Sequence, residues 1–199
     1  MHVISNERER SSPFGRNDRT SFPRYTFHTS AQIQLFDMTV LLCSDINLEN
    51  LGDLLGRYGI KVKHVAINEN IPGSFWQPPE AGLVGNVLYV RDDTPVHSAL
   101  HEACHYICMD KQRREKLDTD AGGDYEEENG VCYLQILLAD HIAEMGRERM
   151  FSDMDAWGYS FRLGSSKAWF EDDAEDAANW LAQHKLVDER GQPVFHLRQ

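Results

Sequence analysis

Apolar residues recur along this chain with two periods, and the changes between them mark out its elements. Leu48, Leu51, Leu54, Leu55 and Tyr58 stand three or four apart, the spacing that lines one face of an α-helix, and Gly59 stops the run. Residues 60–67 alternate apolar with polar, which predicts a half-buried strand. Residues 68–85 are rich in Pro and Gly and read as a loop or hairpin connection, followed by the short apolar strand Val87-Leu88-Tyr89-Val90. Thr94 then offers an N-cap and Pro95 a first helical position for a helix over 96–109, with Ala99, Leu100, Ala103, Tyr106 and Ile107 on its apolar face. A polar stretch broken by Gly122-Gly123 leads to a second helix, whose stripe is Val131, Leu134, Leu138, Ile142 and Met145.

The flanks are less regular. Residues 1–30 carry Ser, Thr, Arg, Asn and Pro without periodicity, the pattern of a disordered arm. The apolar run 38–43 predicts a short strand or an anchor for that arm. Beyond Gly146 the pattern fades. Trp157, Tyr159, Phe161, Trp169 and Phe170 read as core or covering contacts, and 171–184 as a short helix with Trp180 and Leu181 inward. No repeat is visible. With 199 residues the chain can build one well-cored domain. The expected architecture is α+β over 31–199, a small sheet packed on two helices, with an unassigned extension from about residue 147.

Charge narrows the partners. Thirty-two acidic residues against 20 basic ones give a net charge of −12, which argues against direct binding to nucleic acid or to an anionic membrane surface. The acidic clusters at 118–128 and 171–176 read as solvated helix starts. Cys43, Cys104, Cys108 and Cys132 do not form a secreted-domain disulfide framework. Cys104 and Cys108 share a helix, where they serve as small apolar packing or join in metal or redox chemistry. No stretch has membrane-spanning length and no signal-peptide core is present, so a soluble cytoplasmic protein is expected.

The chemistry concentrates in His101-Glu102-Ala103-Cys104-His105. Two histidines four apart on a helix stand on one face and can reach one metal ion, while Glu102 sits beside the attacking water as general base. Catalytic zinc takes three protein ligands. Candidates for the third are Asp118, Asp120, Asp124, Glu126, Glu127 and Glu128. Glu127 stands four before Val131 and seven before Leu134 and so continues the inward stripe, whereas Glu128 lines up with Cys132 and Gln135. Helical geometry therefore favours Glu127. Asp124-Tyr125-Glu126-Glu127 also reads as a capping box with Glu127 at its third position, so a capping role competes. For the oxyanion, Tyr125, Tyr133, Tyr159 and His141 stay open.

From about Leu48 to Asp140 the chain resembles the ImmA/IrrE-like metallopeptidases, a small gluzincin group. The resemblance rests on Tyr58-Gly59-Ile60, the strand 85–90, the Thr94-Pro95 helix start, the His101–His105 motif, and Glu127 with Gly130, Tyr133 and Leu137-Leu138 after it. Gly130-Val131 and Asp140 depart from the Ala-Asn and Pro common in the family, and no helix-turn-helix segment is evident. The resemblance implies a zincin-like fold, Zn²⁺ held by His101, His105 and Glu127, and a specific protein substrate. It also implies that this substrate is a DNA-binding transcriptional repressor of stress responses or mobile elements. Two readings of other classes stand beside it. One is a non-catalytic zinc-binding regulatory or interaction module, and the other a thiol-based redox or metal sensor on Cys104 and Cys108. An extended peptide could join strand 87–90 if that strand lies at a sheet edge.

Overall fold

A computed structural model of the chain describes residues 40–75, 78–119 and 121–199. The expected arm at 1–30, the start of the 38–43 run and the candidate ligand Asp120 lie outside them. Helix α1 (Leu48–Gly56) begins where Asn47 Oδ1 accepts the Glu49 N–H at 2.9 Å. It buries Leu51, Leu54 and Leu55 as its spacing predicts. The chain reverses at Gly59, whose φ of +75° suits a residue without Cβ. Strand β1 (Lys61–His64) follows and pairs in parallel with β3 (Val87–Val90), Lys61 opposite Val87 and His64 opposite Val90.

A further strand, β2 (Gly82–Val84), lies inside the segment read as loop or hairpin connection and pairs antiparallel with β3. The sheet order is β1-β3-β2. Strand β3 is therefore the central strand, hydrogen-bonded on both sides, and it offers no edge to a peptide. Its Leu88 and Val90 are fully buried, each such side chain contributing about 1.5–3 kcal/mol. On the outer side of β2, the Leu83 N–H donates to Gly73 O at 3.3 Å, so that edge is partly covered too. The free edge of β1 carries Lys61, Lys63 and His64, charges that discourage pairing with another chain.

Helix α2 (Val96–Cys108) lies on the inner face of this sheet. Thr94 is not its N-cap: Pro95 occupies that place, and Thr94 Oγ1 accepts the Arg91 N–H instead. The first helical N–H, of Val96, is satisfied by Leu41 O at 2.9 Å. Leu41 N–H donates in turn to Asp153 Oδ2, which fastens the described part of the 38–43 run to the core. At the other end of α2, Arg114 (at the end of the short helix α3, Lys111–Arg114) reaches the carbonyls of Tyr106 and Met109. Arg198 closes those of Ile107, through its N–H, and Cys108, through its guanidinium. Cations at a helix C-terminus also oppose its negative dipole end.

Helix α4 (Tyr125–Ala139) packs against α2 on one side and α7 (Glu175–Gln183) on the other, with α5 (Gly146–Trp157) also against it. Burial runs round α4 from Glu127 through Ala139, so the stripe read from the sequence is only part of its apolar surface. Ile142 and Met145, assigned to that stripe, are buried beyond the helix end. The region after Gly146 forms α5, α6 (Ser166–Asp172) and α7, and Met150, Phe151, Trp169, Trp180 and Leu181 share one apolar cluster with Leu100 and Leu134. Gly130 lets α7 approach: a Cβ there would stand 2.6 Å from Trp180 Cε3. The described residues thus form an α+β fold of seven helices and a three-stranded mixed sheet. None of the described helices is long and apolar enough to cross a membrane.

Candidate metal centre

His101 and His105, one turn apart on α2, bring their rings to 4.6 Å at 87°. Their Nε2 atoms are 3.1 Å apart. From α4, Gln135 Oε1 lies 2.7 Å from His101 Nδ1. An amide oxygen only accepts, so Nδ1 carries a proton, and Nε2 is the atom turned toward His105. His105 is buried, and burial first, then His101 and Arg113, holds its pKa well below the usual imidazole value. It stays neutral in the native protein. Its Nδ1 has no hydrogen-bond partner.

Glu128 completes the group. Its Oε2 lies 3.7 Å from His105 Nε2, beyond hydrogen-bond reach, and its Oε1 accepts the Gly123 N–H at 3.1 Å. The three ligand atoms of His101, His105 and Glu128 lie within 4.8 Å of one another, an arrangement able to hold a metal ion. Glu102, between the two histidines, is buried on the same helix.

Glu127, the ligand favoured by helical spacing, is placed differently. Arg113 Nη1 donates to both its oxygens at 2.6 and 2.8 Å, and Arg198 Nη1 to one at 2.9 Å. Burial pushes the carboxyl pKa up, and the two guanidiniums pull against it. Asp124 Oδ1 caps the Glu127 N–H at 2.9 Å, as the capping reading expects. Gly123 separates the two carboxylates: its N–H holds Glu128, and a Cβ on it would stand 2.5 Å from Glu127 Oε1. The reason for the difference is that α4 is buried nearly all round, so its apolar stripe does not mark the face toward α2. Gln135 marks that face, and Glu128, Cys132 and Gln135 stand on it at i, i+4 and i+7. Of the remaining candidates, Asp118 and Glu126 are exposed and Asp124 serves as the cap.

The oxyanion candidates also separate. Tyr125 is 60% exposed, Tyr133 stacks on Phe170, and His141 packs on Phe195. Tyr159 alone among them stands edge-on to His101, at 5.8 Å. Cys104, Cys108 and Cys132 are buried free thiols whose pKa burial raises, so they pack as protonated apolar groups. Three polar side chains near the pair were not among the sequence candidates for the site: Gln135, Glu80 and His97. Position 97 repeats the four-residue His spacing, and that signal was available.

Comparison of the chain with protein-family models, with curated proteins and with solved structures returns no match.

Proposed function

We propose that this chain is a zinc-dependent peptidase whose ion is held by His101, His105 and Glu128, with Glu102 as general base. The observation that carries the reading is the convergence of two imidazole Nε2 atoms and one carboxylate oxygen, all within 4.8 Å of one another. Tetrahedral zinc with ligands near 2.0–2.1 Å places them roughly 3.3 Å apart; the two separations from His105, 3.1 and 3.7 Å, bracket that value, and all three lie within 4.8 Å. Gln135 supports the donor set by fixing the His101 tautomer. Zinc would polarise the scissile carbonyl and acidify the attacking water. Glu102 takes the proton of that water and passes it to the leaving amine. Tyr159, whose ring stands beside His101, would donate to the developing oxyanion.

The resemblance to the ImmA/IrrE-like group extends this proposal to a zincin-like fold and to a selective substrate, a DNA-binding repressor. The acidic charge agrees with action on a protein partner rather than on DNA itself. Purified protein should contain about one zinc per chain, and His101→Ala or His105→Ala should lose it. Glu102→Gln should keep the metal, capture the substrate from a host extract and leave it uncut, because an amide cannot accept the proton. Captured repressor that the parent cleaves, and that a chelator protects, would establish the activity. Zinc retained in both histidine variants would reject the centre. Tight zinc without cleavage of any captured partner would instead make the chain a non-catalytic zinc-binding module.

A further inference from the structure

Glu80 leads into β2 and is held from two sides. Ser98 Oγ–H donates to its Oε2 at 2.9 Å and Trp157 Nε1–H to its Oε1 at 3.0 Å, while Ser98 Oγ itself accepts the Ala81 N–H. Both donors are neutral. Among the described residues no Lys, Arg or His forms an ion pair with Glu80, whereas buried Glu127 has Arg113 and Arg198, and buried Asp153 has Arg149. A carboxylate has about four acceptor sites, and only two of these are used.

The corner around it is aromatic and adjoins the candidate metal centre. Ser98 precedes His101 by three positions on α2. The Trp157 ring packs 5.1 Å from His97, and the Tyr159 ring stands 5.8 Å from both His97 and His101. His97 is fully buried, and neither ring nitrogen has a hydrogen-bond partner among the described residues. A second polar side chain with unmatched capacity therefore lies against the indole that holds Glu80.

We propose that Glu80, held by the Ser98 hydroxyl and the Trp157 indole N–H, is a subsite for an organic cation of the substrate, a lysine or arginine side chain or the peptide's amino terminus. A carboxylate held only by neutral donors attracts ammonium and guanidinium groups, because its charge meets no cation among the described residues. The net charge of −12 draws basic segments toward the molecule. Burial raises the Glu80 pKa, and the Ser98 and Trp157 hydrogen bonds oppose it. The role as a substrate subsite rests on the peptidase reading, but the binding itself does not.

The Trp157 indole N–H, bonded to Glu80, is a built-in reporter. The full chain, ¹⁵N-labelled and metal-free, would be titrated with acetylated pentapeptides carrying a central Lys, Arg or norleucine in an alanine background. An unacetylated norleucine peptide would supply the amino terminus. The indole resonance is assigned by its loss in Trp157→Phe. We expect a saturable shift with at least one cationic peptide, about tenfold tighter than with acetylated norleucine, and lost in Glu80→Gln. Glu80→Asp, which keeps the charge, should retain a weakened preference. The peptide that binds identifies the source of the cation, side chain or terminus. Equal shifts from the neutral peptide, no saturable shift from any, or an unchanged preference in Glu80→Gln would overturn the proposal. Failure of the peptidase reading would show separately, as absent zinc or absent cleavage.

Discussion

Glu127 and Glu128 are neighbours in the chain, yet Glu127 lies between Arg113 and Arg198 while Glu128 stands 3.7 Å from His105. Substitution should separate their roles. Glu128→Gln should weaken zinc binding by about 100-fold or more while leaving the melting temperature of the metal-free protein near that of the parent. Glu127→Gln should keep the zinc and cost about 2–4 kcal/mol, because two guanidiniums lose a buried partner and partial exposure of Arg113 moderates the loss. Metal content and melting curves of the two variants decide the matter. The opposite pattern would return the ligand role to Glu127.

Gln135→Leu removes the acceptor that fixes the His101 tautomer. Zinc affinity should fall about 10–100-fold, as measured by competition with a chromophoric chelator. An unchanged affinity would mean that the amide serves only as packing.

His97 supplies a pH signature. Complete burial depresses its pKa to about 3, against about 6.5 in an unfolded chain. Between these values the unfolded state binds a proton that the native state does not. Stability contributed by neutral His97 is therefore full above pH 6.5 and is lost progressively as pH falls toward 3. From pH 7 to pH 5 the loss amounts to about 2 kcal/mol. Urea unfolding of parent and His97→Phe, both metal-free, should show the parent declining more steeply over that interval. Parallel declines would show that His97 is not buried neutral.

Gly130→Ala tests the docking of α7. The added methyl would enter the Trp180 ring, and relief requires α7 to move. The expected cost is about 1–3 kcal/mol. A domain of this size registers each kcal/mol as about 2–4 °C in Tm. A parent-like Tm would show that α7 does not bear on α4.

Much of this was legible in the order of residues, where a period or a turn signal is local. The Leu48–Tyr58 spacing, the strand at 87–90 and the His101–His105 helix all appear where the pattern places them. Strand β2 did not stand out, because three residues beginning with Gly82 carry no alternation; pairing with β3 makes them a strand. Helix α5 was hidden for a different reason. Its buried Met150, Phe151 and Met154 are sparse among charges, and its Asp153 is buried against the Leu41 backbone and Arg149, contacts no local pattern can announce. The placement of Glu127 and Glu128 likewise depends on Arg198, 71 positions away.

The connections between α2 and α4 carry a kinetic consequence. His101 and Gln135 are 34 positions apart, whereas Leu41 and Asp153 are separated by 112. Closing the shorter loop costs about 1 kcal/mol less chain entropy, so the helical pair that carries the candidate ligands is the cheaper unit to assemble first. Weakening the α2–α4 contact should then slow folding, while weakening the Asp153 or Arg198 fastenings should mainly hasten unfolding. The lifetime of the native state would be set at the clasps, far from the residues that do the chemistry.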